Sequence, residues 1–302
     1  MSLSPGALLR RAVPFPETEI PPGRVVSLPG RGTTYVTDVP GPTPDAPTVV
    51  LLHAFATTGM LCWFPSVAAL SEHFRVVVFD QRWHGQGFKE GEFTLQDCAH
   101  DVAAIVTELE LGPVVLAGFS MGSFVAQRVW RQHPGVVAGL VLGATAERMA
   151  NTAPERVFHT SMRVTMSALR TLNRSRIARS AGRGAAAALS LEPDEVHRWA
   201  LREFRSVSPW ALGPALAAIG RHHSAPWLAT VDVPTAVVVT TRDRVISRAR
   251  QEHVAELVPG ATVHLVDGGH ASVVLQAEAF VPVLVEACLE TARNAGRIGK
   301  DD

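Results

Sequence analysis

The sequence has few cysteines and no excess of either charge. Its three cysteines, Cys62, Cys98 and Cys288, lie far apart and are odd in number, which argues against a disulfide framework and indicates a reducing compartment. All three fall in segments predicted to be helical, so none is a candidate nucleophile at the end of a strand. Basic and acidic residues both number 28 and the formal net charge is zero, which argues against a protein that binds nucleic acid.

The chain also has no long apolar run. Residues 1–11 lack an apolar core of the length found in signal peptides. The most apolar late stretch, 279–289, contains Pro282 and Glu286 and is too short to cross a bilayer. We therefore expect a cytoplasmic protein without stable membrane insertion. Hydrophobic residues make up 47% of the chain, which is enough for one large core.

Apolar strand-like runs alternate with amphipathic segments, and this order predicts a mostly parallel eight-stranded sheet covered by helices on both faces. After an extended arm at 1–22, the predicted strands are 24–28, 33–37, 48–53, 75–80, 114–119, 138–142, 235–240 and 262–266. The predicted helices around them are 61–73, 94–109, 123–131, 248–257 and 272–294. The glycines between the first two strands indicate a hairpin.

The pattern changes between residues 147 and 226, where the sequence is helical and has no convincing buried strand. We predict that this block forms a cap over the strand ends of a core made of 23–146 and 227–296, with a tail at 297–302. The block holds twelve Arg, no Lys and six acidic residues, a net charge of +6. That charge indicates either a solvated helical surface or attraction of an anionic substrate or lipid headgroup. The small-residue run 182–189 is a candidate hinge.

Residues 114–122 carry the strongest motif in the chain. An apolar run ends at Gly118, and Ser120 and Gly122 follow at alternate positions before a predicted helix. This Gly-x-Ser-x-Gly spacing is typical of a nucleophile elbow, a sharp strand-to-helix turn that needs small flanking residues and presents the central hydroxyl. The helix N-terminus behind the hydroxyl favours developing negative charge.

A serine hydroxyl needs a base to become a good nucleophile, and the base needs a carboxylate to orient it. His270 and Asp243 each follow one of the last two predicted strands, so we expect both side chains at the same rim of the sheet as Ser120. Asp267 lies on the same loop as His270, where a role in the turn is favoured. Glu147, which follows the strand after the elbow helix, is the rival acid.

The negative charge that forms on a carbonyl oxygen under attack must also be stabilised, which needs two backbone N–H groups. Met121 follows the nucleophile directly and is predicted to supply one donor. Phe55, in the loop after strand 48–53, is predicted to supply the other, and His53 is expected to brace this loop.

The substrate pocket is less well defined. One face of the predicted helix over 195–204 carries four apolar residues, namely Val196, Trp199, Ala200 and Phe204. This face either docks the cap onto the core or lines an acyl pocket, for which Trp63, Trp199 and Phe204 are the candidate residues. His222 and His223 have no carboxylate at ligand spacing, so we expect no metal there.

Taken together, these segments resemble the α/β-hydrolase superfamily. The matching segments are 53–55, 80–87, 118–122, 242–246 and 268–270. The sequence is similar to the branch that contains serine esterases, cofactor-free haloperoxidases (perhydrolases) and carbon–carbon bond hydrolases. This resemblance implies Ser120 as nucleophile, Asp243 as acid, His270 as base, and Phe55 and Met121 as backbone donors, with no cofactor.

The chain departs from the usual family pattern at three positions. Ala54 and Trp83 stand where Gly is usual, and Gly87 stands where Ser is usual, so we expect altered packing near the site. A serine at the elbow argues against dehalogenase or epoxide-hydrolase chemistry, which uses Asp as nucleophile in this superfamily. The expected activity is hydrolysis of a small-molecule carboxylic ester; perhydrolysis, carbon–carbon bond hydrolysis and a non-catalytic binding role are the alternatives.

Overall fold

An eight-stranded sheet forms the centre of the protein. A computed structural model describes residues 19–149, 195–207 and 209–299. The strands are β1 (Arg24–Leu28), β2 (Gly32–Val39), β3 (Thr48–Leu52), β4 (Arg75–Phe79), β5 (Val114–Phe119), β6 (Val137–Gly143), β7 (Thr235–Thr240) and β8 (Thr262–Val266). Their order across the sheet is β1-β2-β4-β3-β5-β6-β7-β8. The pairs β1–β2 and β2–β4 are antiparallel and the other pairs are parallel, which confirms the predicted fold class.

Helices cover both faces of this sheet. They are α1 (Gly59–Ser71), α2 (Leu95–Glu108), α3 (Met121–Gln132), α4 (Glu195–Ser206), α5 (Pro209–Gly220), α6 (Ala225–Leu228), α7 (Arg248–Leu257), α8 (Ser272–Leu275) and α9 (Ala277–Asn294). Helices α1 and α9 pack on one face, and α2, α3 and α7 pack on the other. Every residue of β3 and β5 is buried, because alternate side chains of a strand enter the two cores in turn.

Side chains at the helix starts explain two of the helix boundaries. Thr58 caps α1 by accepting a hydrogen bond from the Leu61 N–H, so this helix begins two residues before its predicted start. The predicted helix over 272–294 is instead two helices, because the backbone leaves the helical conformation at Gln276 (φ −134°, ψ 41°). The Gln276 side chain accepts a hydrogen bond from the Gly269 N–H, 3.0 Å away. It thereby ties the start of α9 to the loop that carries His270.

The described part of the predicted cap consists of α4, α5 and α6. The remainder of the block, the candidate hinge at 182–189 and most of the N-terminal arm lie outside the described residues, so the cap as a unit stays a prediction. None of the helices in the described ranges is long and apolar enough to cross a membrane.

The three cysteines lie inside α1, α2 and α9, as predicted, and all are buried and unpaired. Burial raises the pKa of the Cys62 thiol to about 12. Burial also raises the pKa values of Cys98 and Cys288. Thiols in this state are not nucleophilic, because only the thiolate attacks.

Candidate active site

The turn from β5 to α3 has the geometry expected of a nucleophile elbow. Ser120 has φ 52° and ψ −114°, a strained conformation for a residue with a side chain. Both flanking positions need glycine, because other backbone segments approach them too closely to leave room for a side chain. A Cβ at Gly118 would collide with the backbone of Gly122, and a Cβ at Gly122 would collide with the Leu52 carbonyl oxygen. The turn therefore holds the Ser120 side chain at the end of the central strand.

Ser120, His270 and Asp243 form one continuous chain of hydrogen bonds. The Ser120 Oγ lies 2.9 Å from Nε2 of His270. On the other side of the ring, Nδ1 of His270 lies 2.7 Å from Oδ2 of Asp243. The short bond to a carboxylate places the imidazole proton on Nδ1, which leaves Nε2 free to accept the serine proton. Residues separated by 150 positions thus meet at the strand ends.

Asp243 is held as a carboxylate. Its Oδ1 accepts hydrogen bonds from the N–H groups of Val245 and Ile246, at 2.7 and 3.0 Å, and its Oδ2 accepts one from the Thr240 hydroxyl at 2.9 Å. Burial acts to raise the pKa of Asp243. The bond to His270, the charge of His270 and the two N–H donors outweigh burial, so the pKa is lowered overall. The carboxylate is therefore ionised when it faces the imidazole.

The two rival acids do not reach His270. The Asp267 side chain is 77% exposed and pairs with Arg242 at 2.8 Å, which agrees with a role in the turn. The Glu147 backbone carbonyl accepts a hydrogen bond from the Ser224 N–H, and no hydrogen bond joins Glu147 to His270 among the residues that the structure describes. Asp243 is the carboxylate that contacts the imidazole.

The loop after β3 is braced by an imidazole, as the sequence suggests for His53. The Gln81 N–H donates to Nε2 of His53 at 2.9 Å, and Nδ1 of His53 lies 2.8 Å from the Ala54 carbonyl oxygen. Burial, reinforced by the nearby His84, holds the pKa of His53 well below its usual range, so this ring is neutral. The backbone N–H of Phe55 donates no hydrogen bond to any described residue. The Met121 N–H lies at the start of α3, where a helix supplies no acceptor.

Sequence reasoning missed Gln81, whose side chain ties this loop to the end of β4. Its amide nitrogen donates to the His53 carbonyl oxygen at 2.8 Å, while its own backbone N–H holds the His53 ring. Gln81 is almost fully buried. It lies in the 80–87 segment that carries the family resemblance, so its position gave a signal. Its side-chain partner could not be read from the sequence, because it depends on how the two loops pack.

A second missed group surrounds Asp80, the first residue after β4. Its carboxylate accepts hydrogen bonds from the N–H groups of Gly59 and Gln86, both at 2.8 Å. Burial is the main cause that raises the pKa of Asp80 to about 6. Close by, the Thr58 hydroxyl donates to the Glu203 carboxylate at 2.6 Å, which fastens α4 to the N-terminus of α1.

The three candidate pocket residues occupy different environments. Trp63 is fully buried and packs edge-on against Phe119, so its side chain lies within the core. Trp199 is half-buried and contacts the ring of Phe64, with 5.2 Å between centroids, which agrees with docking of α4. Phe204 is 61% exposed, so it does not dock against the core, and its place in a pocket wall stays a prediction.

Glu203 is the residue of α4 that is turned toward Thr58, and consecutive residues of a helix are rotated by about 100° from one another. Phe204 is therefore rotated away from the contact with Thr58. Val196, Trp199 and Ala200, one or more turns earlier, are buried or half-buried.

The polar groups of the described residues include no cluster of three or more His, Cys, Asp or Glu side chains that could hold a metal ion. The arrangement can perform nucleophilic chemistry, because a hydroxyl is aligned with a base and that base is aligned with a carboxylate. A model of a family described as the alpha/beta hydrolase fold matches residues 47–276. The chain belongs to this family.

Comparisons with individual proteins agree with this assignment. The 3-oxoadipate enol-lactonase 1 of Acinetobacter baylyi is 24% identical over 261 residues, which cover 84% of this chain and 92% of that protein. An esterase structure from Exiguobacterium antarcticum superposes with a TM-score of 0.70 at 19% identity, covering 88% of this chain and 99% of the other. A structure from Mycobacterium tuberculosis, provisionally named a non-heme bromoperoxidase, superposes with a TM-score of 0.64 at 20% identity, covering 91% of this chain and 98% of the other.

Two departures from the family pattern have visible structural consequences in this hydrolase. Trp83 has φ 62°, a left-handed conformation that glycine usually adopts. Its backbone N–H donates to the Phe88 carbonyl oxygen at 2.8 Å. A Cβ at Gly87 would collide with the carbonyl oxygens of Asp80 and Gln81. The turn at 80–87 therefore depends on the glycine at 87 and carries strain at 83.

Proposed function

We propose that this member of the family is a serine hydrolase that cleaves a carboxylic ester through an acyl-serine intermediate. The observation that carries the proposal is the hydrogen-bonded chain from the Ser120 hydroxyl through His270 to Asp243, with both links shorter than 3 Å. Metal ligands are not needed for this chemistry. The proposal assigns Ser120 as nucleophile, His270 as general base and acid, and Asp243 as the carboxylate that orients the imidazole.

The reaction has two halves. In the first, Ser120 Oγ attacks the ester carbonyl carbon while Nε2 of His270 takes the hydroxyl proton; collapse of the tetrahedral intermediate breaks the bond to the alkoxy oxygen, which receives that proton. In the second, His270 takes a proton from water, the hydroxide attacks the acyl-serine, and the acid leaves as Ser120 regains its proton. The ionised Asp243 stabilises the imidazolium that forms in each half.

Two backbone N–H groups are proposed to stabilise the negative oxygen of each tetrahedral intermediate. Met121 lies at the positive end of α3, directly after the nucleophile. Phe55 lies on the loop that His53 and Gln81 brace. Pre-organised donors of this kind are effective because they need no reorganisation when the charge develops, and removing one donor costs about a hundredfold or more in rate.

The substrate is proposed to be an ester of modest size, with cyclic esters included. The enol-lactonase likeness over most of both chains supports a lactone as one form of the substrate. The fold shared with the Exiguobacterium esterase supports acyclic esters. Trp199, which is half-buried against Phe64, is the candidate residue that we propose contacts the acyl group.

Labelling with a fluorophosphonate probe, together with turnover of nitrophenyl esters of increasing chain length and of a simple lactone, tests the proposal. We expect wild-type protein to be labelled and to turn over at least one ester, and Ser120→Ala to lose both. Replacing the nucleophile of such a triad lowers kcat by about a millionfold. Ser71→Ala, on the far end of α1, is the matched control and should keep both properties. Labelling of Ser120→Ala at the wild-type rate would overturn the assignment.

Perhydrolysis is a second candidate, favoured by the likeness to the provisionally named bromoperoxidase. Here hydrogen peroxide replaces water in the second half of the reaction, attacks the acyl-serine and releases a peracid, which then oxidises halide. Measuring ester turnover and the bromination of a dye together, with peroxide and bromide present, distinguishes perhydrolysis from hydrolysis. Bromination that approaches one equivalent per ester cleaved in the same mixture would favour perhydrolysis.

A further inference from the structure

A cavity of about 320 Å³ lies between α2, α3 and the end of α5, and no residue of the Ser120, His270 and Asp243 chain lines it. Its wall includes Arg128 from α3 and Arg221, which follows α5. No acidic side chain is among its lining residues. The cavity is therefore positively charged and separate from the groups proposed to carry the ester chemistry.

Arg128 is the half-buried cation of this cavity. Its Nε is enclosed and has no hydrogen-bond partner among the described residues. Its guanidinium carbon lies 5.8 Å from the centre of the Trp227 ring, a contact that attracts the charge and satisfies no N–H group. Burial, and then the charge of the neighbouring Arg131, lower the pKa of Arg128. Among the described residues no ion pair joins Arg128 to a carboxylate, and a partly buried cation without such a partner is costly unless an anion binds.

The backbone around the cavity offers free N–H groups at the start of α2, while carbonyl oxygens at the end of α5 are already hydrogen-bonded. Leu95 and Gln96 are the first two residues of α2, a helix of 14 residues, and N–H groups at this position have no acceptor within the helix. On the opposite wall, three of the last four carbonyl groups of α5 accept hydrogen bonds. Those of Ala217 and Ala218 accept from the Arg221 N–H, and that of Ile219 accepts from the His222 N–H.

Two further side chains lie near the cavity, and one of their buried polar atoms, Nδ1 of His222, has no hydrogen-bond partner among the described residues. Asp97, in the first turn of α2, accepts a hydrogen bond from the hydroxyl of the capping Thr94 at 2.7 Å, and its carboxylate is not part of the cavity wall. His222 is 1% exposed and its Nε2 lies 3.1 Å from the Gln127 amide oxygen. Burial is the main cause that lowers the pKa of His222 to about 3, so this ring stays neutral and the positive charge belongs to the arginines.

We propose that this cavity binds a phosphate-type oxyanion. Guanidinium groups match the geometry of phosphate oxygens, to which they donate two parallel hydrogen bonds, and free N–H groups at a helix start bind the same ions. The volume exceeds that of a single tetrahedral ion, which leaves room for a small organic group attached to the phosphate. The site is independent of the proposed ester hydrolysis and would bind its ligand whether or not that proposal holds.

Isothermal titration calorimetry on the full chain, with ionic strength held constant by sodium chloride, tests the site. The two probes are inorganic phosphate and phenyl phosphate; tighter binding of phenyl phosphate would identify a phosphate ester as the source, and equal binding would identify the free ion. We expect saturable binding by the wild-type protein. Arg128→Gln should weaken it about tenfold or more, because a charge-assisted hydrogen bond is lost. Arg131→Gln, an exposed neighbour on the same helix, is the matched control.

Three outcomes would overturn the proposal. One is the absence of saturable binding at millimolar concentrations of either probe. Another is equal weakening by Arg131→Gln and Arg128→Gln, which would mean that a diffuse positive field attracts the anion. The third is that Arg221→Gln binds as the wild type does. Arg221 is exposed, so that variant tests the same cavity even where Arg128→Gln fails to fold, and a circular dichroism spectrum and a Tm equal to those of the wild type check that each variant is native.

Discussion

Asp80 gives a prediction about stability that can be worked from the structure. Its carboxyl group is 5% exposed and accepts two backbone hydrogen bonds. Burial is the largest effect on it, the nearby Glu203 acts in the same direction, and the pKa rises from 3.8 to about 6. The two N–H donors and Lys89 oppose that rise without cancelling it. The folded protein therefore binds this proton more tightly than the unfolded chain does.

The sign of the effect follows from linkage. Because the folded state holds the proton to higher pH, the contribution of Asp80 to stability is fully present below about pH 4 and is lost as the pH rises through about 6. A rise of about two pKa units corresponds to about 3 kcal/mol of unfolding free energy. Asp243, whose pKa is lowered, acts in the opposite direction, so the effect of Asp80 must be isolated by comparing variants.

Asp80→Asn removes the titration and keeps the shape of the side chain. We expect the unfolding free energy of this variant, relative to wild type, to rise by about 3 kcal/mol between pH 4 and pH 7. Urea unfolding followed by circular dichroism across that range measures the difference. We also expect a difference in unfolding free energy that is the same at every pH, because the new amide faces the Gln86 N–H. This constant difference does not affect the slope. Glu203→Gln, which removes the neighbouring charge, should make the wild-type slope shallower. A difference between Asp80→Asn and wild type that does not change with pH would refute the reasoning.

Three further predictions concern the site. Asp243→Asn should lower kcat for a nitrophenyl ester by about 10³-fold to 10⁴-fold with little change in KM, because an amide favours the wrong imidazole tautomer; a loss below tenfold would contradict this. Gln81→Leu should lower kcat about tenfold or more, since the bond that holds the His53 carbonyl is lost, while KM stays near the wild-type value; a change in KM alone would point to another role. Gly122→Ala should destabilise the fold by about 2 kcal/mol or more, because its Cβ meets the Leu52 carbonyl oxygen; an unchanged Tm in thermal unfolding would show that the turn can adjust.

The sheet and the elbow could be predicted because their signals are local. β3 and β5 are continuous apolar runs bounded by loop residues, a pattern typical of strands buried on both faces. The convergence of Ser120, Asp243 and His270 also followed from sequence order, since the ends of parallel strands meet at one edge. The structure brings the three side chains into hydrogen-bond contact.

The features that the sequence did not predict depend on packing between distant segments. Gln81 contacts His53 across 28 positions, and Thr58 contacts Glu203 across 145. The helical periodicity of α4 placed Phe204 with Trp199, but Phe204 is exposed and the neighbouring Glu203 makes the contact with Thr58. The break at Gln276 has a similar cause, because a side chain bonded to the His270 loop interrupts an otherwise helical pattern.

The burial of all three thiols has a practical consequence for chemistry done on this protein. A thiol whose pKa is raised by burial forms little thiolate and resists both alkylation and oxidation by peroxide. The cysteines of the wild-type protein should therefore resist the peroxide that the perhydrolysis assay requires. A single cysteine introduced at an exposed position would then be the only thiol open to maleimide dyes, so a spectroscopic reporter could be attached without removing Cys62, Cys98 or Cys288.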